Sequence, residues 1–304
     1  MKKYRAYVYG MISFSHLNIL DKRFSFPSPN SYAEVFETYY IPAGEALNAA
    51  IILSKFGVKT KLDGNWLGHS YSAQIIKVLK NFGVDISLLK IKKDYKGAVE
   101  DAFSDGKTRT IFGNYCQVLF GEKRQWNKVS TSEIKKSDIV SIDPFFIKES
   151  ERAARICLKY KKPYVTIDCL PDSFICKNAS SVIVSEDYLL NNLKIKNFKK
   201  IFNSYLNNCN GLVIMTFGSK KLYYARKGQK IKTFLPYKIN PVDTLAAGDC
   251  FRGAVVYGLL KKWNDEKIVR FSSAVGALIC LTKPGAMHPP SLHKIMKFMK
   301  TRTS

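Results

Sequence analysis

The sequence has few features of metal-binding or disulfide-stabilised proteins. It contains seven cysteines, an odd number, and no two of them are spaced as CxxC. Its four histidines do not cluster with cysteines at the spacing of zinc ligands. Several cysteines lie within apolar stretches, as is common for buried thiols in a reducing compartment. The pattern argues against a zinc site and predicts a cytoplasmic protein.

Long apolar segments are missing as well. No run reaches the roughly 18 apolar residues that a membrane-spanning helix needs. The first residues read MKKYRAYVYG, and Arg5 and Tyr7 interrupt any apolar core of a signal peptide. We therefore expect no membrane-spanning segment and no membrane partner.

Acidic residues are scarce relative to basic ones. The chain has 24 Asp and Glu against 49 Lys and Arg, which gives a formal net charge of +25. Such a charge is typical of nucleic-acid or membrane-surface binders. Here the basic residues are dispersed, with no long block of like charges and no basic–aromatic repeat, which favours solvated faces. We expect no nucleic-acid partner. A positive surface also helps to gather an anionic substrate, which is a further interpretation of the charge.

The sequence does contain a regular alternation of strands and helices. Strand-like runs occupy residues 5–10, 138–143, 163–168, 181–185 and 211–218, and helical periodicity occupies residues 44–57, 70–83 and 148–162. Apolar strands separated by helices indicate βαβ units around a parallel sheet. The 304 residues are 46% hydrophobic, which suffices for one large α/β domain spanning 1–304.

Two segments break this alternation. Residues from about 12–43 and 95–115 are strand-like, and the second contains Asp105-Gly106, a signal for a two-residue hairpin loop. We interpret both as contributions to a small β element that forms a lid over the main sheet.

The stretch VDTLAAGDCFRGA, from Val242 to Ala254, precedes and opens a predicted helix. Ala246, Ala247 and Gly248 would lie at its N-terminus, where backbone N–H groups lack partners and the helix dipole is positive. Because these side chains are small, an anion can approach the free N–H groups closely. The sequence therefore predicts an anion site here.

Two common phosphate-binding loops do not fit this stretch. A Walker-type loop requires GxxxxGK[ST], but Ala254 and Val255 follow Gly253; a GxGxxG dinucleotide loop is absent from the chain. Asp249 itself has two interpretations. Acidic residues favour first helical turns through the dipole, which would also lower the basicity of Asp249. Together with Asp243, however, it could flank a phosphoryl group and accept a hydroxyl proton.

The motif resembles DTxGAGD, the signature of the ribokinase-like (PfkB) carbohydrate kinases. The resemblance extends over nearly the whole chain: AGEALNAAIILSKFG, LDGNWLGHSYSAQIIKVLKNFGV, SDGKTRTIFGNY and MTFGSKK are similar to family segments in the family's order. It implies a three-layer α/β/α fold with a mostly parallel central sheet and a small β lid. It also implies transfer of the ATP γ-phosphate to a hydroxymethyl group of a small carbohydrate, with Mg²⁺ bridging the phosphates.

The resemblance further implies residue roles. Asp249 would be the base that deprotonates the sugar hydroxyl, and the backbone of Ala246, Ala247 and Gly248 would hold the γ-phosphate. The residues implied at the nucleotide are Asp243, Ser185, Thr216, Gly218, Gly285 and Ala286. The residues implied at the sugar are Ser15, Gly44, Asn48, Arg109 and Asp143, together with Asp249. In some relatives the position of Asp243 binds a monovalent cation, and the lids of many relatives pair, which implies a homodimer. No metal ligand is assigned.

Two departures from the family pattern bear on function. Ser15 occupies the position of a sugar-binding aspartate, and Ser185-Glu186-Asp187-Tyr188 replaces the family's NxxE. The lost aspartate, Arg109 and the basic chain together suggest an acidic or phosphorylated sugar. The alternatives are a nucleoside kinase, or a catalytically weak relative that only binds a sugar or a nucleotide.

Overall fold

The computed structural model describes residues 4–195 and 197–302. Within this part of the chain, eight strands form the main sheet in the order β14-β13-β12-β11-β10-β9-β1-β4, and four form a second sheet in the order β3-β2-β7-β8. The strands are β1 (Arg5–Gly10), β2 (Ser13–Leu20), β3 (Val35–Ala43), β4 (Lys59–Gly64), β5 (Leu67–Gly68), β6 (Ile91–Lys92), β7 (Val99–Ser104), β8 (Arg109–Gly113), β9 (Ile139–Ile142), β10 (Tyr164–Ile167), β11 (Ser181–Ser185), β12 (Leu212–Phe217), β13 (Lys220–Ala225) and β14 (Lys232–Phe234).

Helices cover both faces of the main sheet. They are α1 (Glu45–Lys55), α2 (Ser72–Asn81), α3 (Tyr115–Phe120), α4 (Thr131–Lys136), α5 (Lys148–Lys159), α6 (Phe174–Lys177), α7 (Phe198–Asn208), α8 (Ala247–Leu260), α9 (Asp265–Ile279) and α10 (Leu292–Thr301), with short helical turns at Pro144–Phe146, Tyr188–Asn192 and Gly285–Met287. The helices α1, α2, α8, α9 and α10 pack on one face. The helices α3 to α7 pack on the other. None of these helices is long and apolar enough to cross a membrane.

The central strand β1 shows why the fold has three layers. Successive side chains of a strand point to opposite faces of the sheet. Ala6 and Val8 join the core on the α1 and α8 side, while Tyr7 and Tyr9 join the core on the α5 side. All four side chains are at least 97% buried. Strands β4, β1, β9, β10, β11 and β12 are parallel. Strand β13 pairs antiparallel with β12, and β14 pairs antiparallel with β13, so β14 runs in the same direction as the parallel strands. The predicted α/β fold with a mostly parallel sheet is confirmed.

The second sheet contains β2, β3, β7 and β8, which fall within the segments predicted for the lid. Its inner face carries Leu17, Ile19 and Ala102, which pack with Leu245 and Met287 of the body. The lid therefore packs against the loop that precedes α8 and against the helical turn Gly285–Met287. We give the name lid to these four strands throughout.

The loop at the end of the lid differs from the prediction in length. Ser104 pairs with Arg109, so four residues connect β7 to β8 instead of two. The Asp105 carboxylate accepts hydrogen bonds from the N–H groups of Lys107 and Thr108, at 2.8 and 2.6 Å. This side-chain capping stabilises the longer turn.

Helix α8 reaches the site because it packs very closely against α1. A Cβ at Gly253 would lie 3.0 Å from a methyl carbon of Ile52 and 3.1 Å from the carbonyl oxygen of Ala49. Glycine therefore allows the two helices to approach each other. This approach brings the N-terminus of α8 beside the start of α1, and with it Asp249 beside Asn48.

Candidate active site

The N-terminus of α8 is open. Ala246 precedes the helix with φ of 62°, and no side chain caps the first turn. In the described chain, a Cβ added at Gly248 would meet no heavy atom within 4 Å. The start of the helix therefore borders a space that a phosphoryl-sized anion can enter, with the positive end of the helix dipole behind it. The N–H of Ala247 lies 3.5 Å from the carbonyl oxygen of Thr244, a long contact that an anion could replace.

Asp249 lies beside this opening and is held in place by α1. The Asn48 Nδ2 group donates a hydrogen bond to Asp249 Oδ2 at 2.9 Å. Burial raises the pKa of Asp249 above the usual aspartate value, and the Arg252 charge and the Asn48 hydrogen bond oppose that shift. The dipole argument alone led us to expect a weakened base. Burial outweighs it, and a carboxylate with a raised pKa is a better proton acceptor.

Arg252 lies fully buried beneath the site. Its Nη1 donates to Asp143 Oδ1 and its Nη2 to the carbonyl oxygen of Glu45. Asp143 is also fully buried, and its Oδ2 accepts the N–H of Met11 at 2.7 Å. Both oxygens of Asp143 are thus engaged in joining β1, α1 and α8, which is a supporting role. The sugar contact implied for Asp143 stays a prediction.

Gly10 explains how this carboxylate fits at the end of β1. A Cβ there would lie 1.9 Å from Asp143 Oδ2. Any side chain at position 10 would therefore displace the carboxylate that holds Arg252.

The residues predicted to contact ATP fall into two groups. Asp243, Gly285 and Ala286 are buried next to the start of α8. Asp243 Oδ1 accepts the N–H of Leu245 at 2.9 Å, whereas its Oδ2 is buried without a hydrogen-bond partner among the described residues.

The second group lies at the carboxyl ends of β11 and β12, where Ser185 and Thr216 are register neighbours and Gly218 follows with φ of 61°. Ser185 donates through its N–H and Oγ to Asp168, at 2.7 and 3.0 Å. Burial raises the pKa of Asp168 to about 6.

The residues predicted to contact the sugar lie between the lid and α1. Ser15 on β2 is fully buried, and its Oγ makes no hydrogen bond within the part of the chain described. Gly44 begins α1 with φ of 108°, where a Cβ would lie 2.5 Å from the carbonyl oxygen of Met11. Arg109 lies at the lid loop, with Nη2 3.8 Å from Asp187 Oδ2. Gly44 and Asn48 thus share the first turn of α1, Ser15 lies on lid strand β2, and Arg109 lies toward the β11 end.

Sequence reasoning missed four charged residues of this region: Arg252, Asp168, Glu45 and Glu100. Arg252 follows Asp249 by three positions, on the same side of α8. A charged residue on an otherwise apolar helix face is unusual, so Arg252 could have been identified from the sequence. Glu100 lies on the same face of β7 as Ala102, but its position beside Ser15 depends on strand register, which the sequence does not show. Burial, followed by the charges of Asp249 and Asp143, raises the pKa of Glu45 well above its usual value. In the described ranges, no group of three or more His, Cys, Asp or Glu side chains is arranged to hold a metal ion.

Comparison with known proteins identifies the family of the chain. The family described as pfkB family carbohydrate kinase matches residues 7–292. The 5-dehydro-2-deoxygluconokinase of Clostridium tetani is 21% identical over 286 residues, which are 85% of this chain and 84% of that protein.

Solved structures are similar at the level of the fold. The ribokinase of Cryptococcus neoformans in complex with ADP superimposes with a TM-score of 0.79 and 17% identity, covering 97% of this chain and 99% of that chain. The ribokinase of Arabidopsis thaliana complexed with ribose and ATP gives a TM-score of 0.78 and 16% identity, covering 98% and 99%. With a family match over nearly its whole length, the chain belongs to the pfkB family of carbohydrate kinases, phosphotransferases whose acceptor is an alcohol group.

Proposed function

We propose that this protein transfers the γ-phosphoryl group of ATP to a hydroxymethyl group of a small carbohydrate, in the cytoplasm. The observation that carries the proposal is the open N-terminus of α8 next to Asp249, a carboxyl group whose pKa burial raises. The open helix N-terminus suits a transferring phosphoryl group, and the Asp249 carboxylate suits the proton that leaves the acceptor hydroxyl. The rest of the site supports these two.

The chemical roles follow from the positions. Asp249 accepts the proton of the acceptor hydroxyl as the oxygen forms its bond to phosphorus. Asn48 holds the carboxylate through its 2.9 Å hydrogen bond, so the base is oriented before the acceptor binds. The N–H groups of Ala247 and Gly248 stabilise the charge of the transferring group. The lid covers the site and excludes water, which would otherwise compete as the acceptor.

The surroundings fit a nucleotide with its cations. When bound, ATP supplies the phosphoryl group and Mg²⁺ neutralises phosphate charge. Glu186 and Asp187, at the end of β11, carry the carboxylate oxygens that Mg²⁺ prefers, although Lys220 binds both oxygens of Glu186 in this structure, at 2.9 and 3.3 Å. The unpartnered, buried Oδ2 of Asp243 suits a monovalent cation. Thr216, Gly218, Gly285 and Ala286 would contact the nucleotide.

Two observations favour different carbohydrates, one an acidic sugar and the other an uncharged sugar. Curated relatives include 5-dehydro-2-deoxygluconokinases, whose name indicates a gluconate derivative and favours the acidic sugar that the sequence suggested. The carboxylates of Glu100 and Asp249 oppose that choice, because in their ionised form they would repel an anionic substrate. We favour an uncharged sugar.

The lid also offers a surface for a second copy of the chain. Its outward face carries Phe36, Tyr40 and Phe112, which are 70%, 66% and 57% exposed. Exposed aromatic clusters of this kind are typical of interfaces. We propose a homodimer that pairs through the lids. Light scattering should give a dimer for the wild type and a monomer for Phe36→Glu, and a monomeric wild type at tens of micromolar would contradict the dimer.

The function is tested by a panel of acceptors. The protein is incubated with ATP–Mg²⁺ and neutral sugars, sugar acids, sugar phosphates or nucleosides, and ADP release and phosphorylated product are measured. A ligand at 100 times its dissociation constant should also raise the free energy of unfolding by about 2.7 kcal/mol.

A phosphorylated sugar supports the proposal, whereas turnover of nucleosides alone would favour a nucleoside kinase. Binding without turnover of any acceptor would indicate a relative that only binds.

A further inference from the structure

Glu100 lies on the inner face of the lid, directly beside Ser15. The strands β2 and β7 are parallel, and Ser15 and Glu100 are register neighbours. Glu100 lies two positions before Ala102 in β7 and therefore on the same face of the lid, and Ala102 packs with Leu245 and Met287 of the body. Its side chain therefore points from the lid toward the body, and only 5% of the residue is exposed.

A tyrosine holds this carboxylate in one position. Tyr115 donates from its hydroxyl to Glu100 Oε2, and its Oη also lies 3.2 Å from Ser13 Oγ. Burial raises the pKa of Glu100, and the hydroxyls of Tyr115 and Ser15 oppose the shift. Tyr115 engages one carboxylate oxygen, and the Ser15 hydroxyl lies close enough to the carboxylate to oppose the rise of its pKa.

Two further polar atoms near Glu100 and Asp249 are unsatisfied. Ser15 Oγ and Asn48 Oδ1 are buried, and neither has a hydrogen-bond partner among residues 4–195 and 197–302. Buried polar atoms are rarely left unpaired, because each one costs free energy unless a ligand or water satisfies it. The same Asn48 binds the proposed base through its Nδ2. One unsatisfied atom therefore lies next to Glu100 in the lid, and the other lies next to Asp249 in the body.

We infer that Glu100 determines acceptor specificity: with Ser15 and Asn48 it forms a subsite under the lid that hydrogen-bonds the hydroxyl groups of an uncharged polyhydroxy substrate. The inference rests on the proposed kinase function. A carboxylate accepts hydrogen bonds from sugar hydroxyls and repels a carboxylate or phosphate on the substrate. Two arginines carry positive charge near these carboxylates: Arg252, which pairs with Asp143, and Arg109, which acts on Glu100 and lies 3.8 Å from Asp187. Both cations already face another carboxylate, so neither is reserved for a substrate anion.

The test compares Glu100→Gln with the wild type. Glutamine keeps the size of the side chain and removes its charge. The matched control is Asp101→Asn, which makes the same change on the neighbouring residue of β7, on the outer face of the lid, where the side chain is 53% exposed. Steady-state kinetics are measured with D-fructose as the uncharged acceptor and D-gluconate as the acid, at saturating ATP. Fructose binding is measured separately by thermal shift.

Glu100→Gln should raise the fructose KM roughly 10- to 100-fold, the effect of one charged hydrogen bond. It should lower the fructose-to-gluconate ratio of kcat/KM, leave the ATP KM unchanged and weaken the fructose-induced thermal shift. Asp101→Asn should change none of these. If Glu100→Gln does not fold, Glu100→Asp replaces it, with the same expectation for fructose.

The inference is overturned if the wild type prefers gluconate, or if Glu100→Gln keeps the wild-type KM and acceptor ratio. Failure of the kinase proposal looks different, since the wild type then phosphorylates no acceptor at all. Fructose binding that is equal in wild type and Glu100→Gln would also overturn the inference, with or without turnover.

Discussion

Replacing Arg252 with methionine should destabilise the protein strongly, although the residue touches no solvent. Methionine keeps the apolar stem of the side chain and removes its guanidinium group. Asp143 would then remain fully buried, with the N–H of Met11 as its remaining donor in the described structure and no cation beside it. Breaking a buried ion pair from one side costs about 3–5 kcal/mol, because the other charge stays uncompensated.

The expected change in melting temperature follows from the size of the chain. An unfolding entropy of about 2.1 cal/mol/K per residue gives about 0.6 kcal/mol/K for a chain of this length. The loss of 3–5 kcal/mol therefore lowers Tm by about 5–8 °C. Urea unfolding followed by circular dichroism measures the same loss as a shift in midpoint.

Two further variants show whether the ion pair is the cause. Arg23→Met removes an arginine whose side chain is 74% exposed and paired with Asp21, and it should change stability by no more than about 0.5 kcal/mol. The double variant Arg252→Met with Asp143→Asn removes both buried charges and should regain part of the loss. A Tm for Arg252→Met within 2 °C of the wild type would refute the reasoning, as would a double variant less stable than Arg252→Met alone.

Three other predictions concern separate parts of the site. Because the pKa of Asp168 is raised to about 6 in the folded state, its contribution to stability is full well below pH 4 and falls by about 2.4 kcal/mol as pH rises from 4 to 7. Urea unfolding of wild type against Asp168→Asn should show this slope, and parallel curves would contradict it. Gly248→Ala should keep or raise Tm, because the added Cβ meets no described atom and alanine favours helices. The same variant should lower kcat/KM for ATP at least tenfold, because the methyl group obstructs the anion site. Unchanged kinetics would be evidence against the site. Lys283→Met removes a 2.7 Å ion pair between the body and Glu37 of the lid. This variant should raise the acceptor KM up to about fivefold with little change in Tm. A large loss of stability would exclude a role limited to the lid.

The fold was predictable because its signals are local. The strand expected at residues 5–10 is β1 with the same bounds, and the helix expected at 44–57 is α1 (Glu45–Lys55). Apolar periodicity and glycine stops determine such elements within a few residues. The lid loop was predicted less well. Its length depends on hydrogen bonds from the Asp105 side chain, which the dipeptide signal does not include.

The site was predictable in position but not in electrostatics. Small residues before α8 indicated the open helix end from sequence alone. The basicity of Asp249 depends instead on burial and on Asn48, which is 201 positions away in the chain. Glu100 was missed for a similar reason. Its importance comes from register with Ser15 across two parallel strands, and strand register is a tertiary property.

The role of Asp249 is the central claim, and one kinetic comparison tests it most directly. Asp249→Asn keeps the shape of the side chain and removes its capacity to accept a proton. With a saturating carbohydrate acceptor and ATP–Mg²⁺, its kcat should fall by about 10²- to 10⁴-fold, while the dissociation constant for ATP stays within about threefold of the wild type. A variant that retains more than about one tenth of the wild-type kcat would contradict the account.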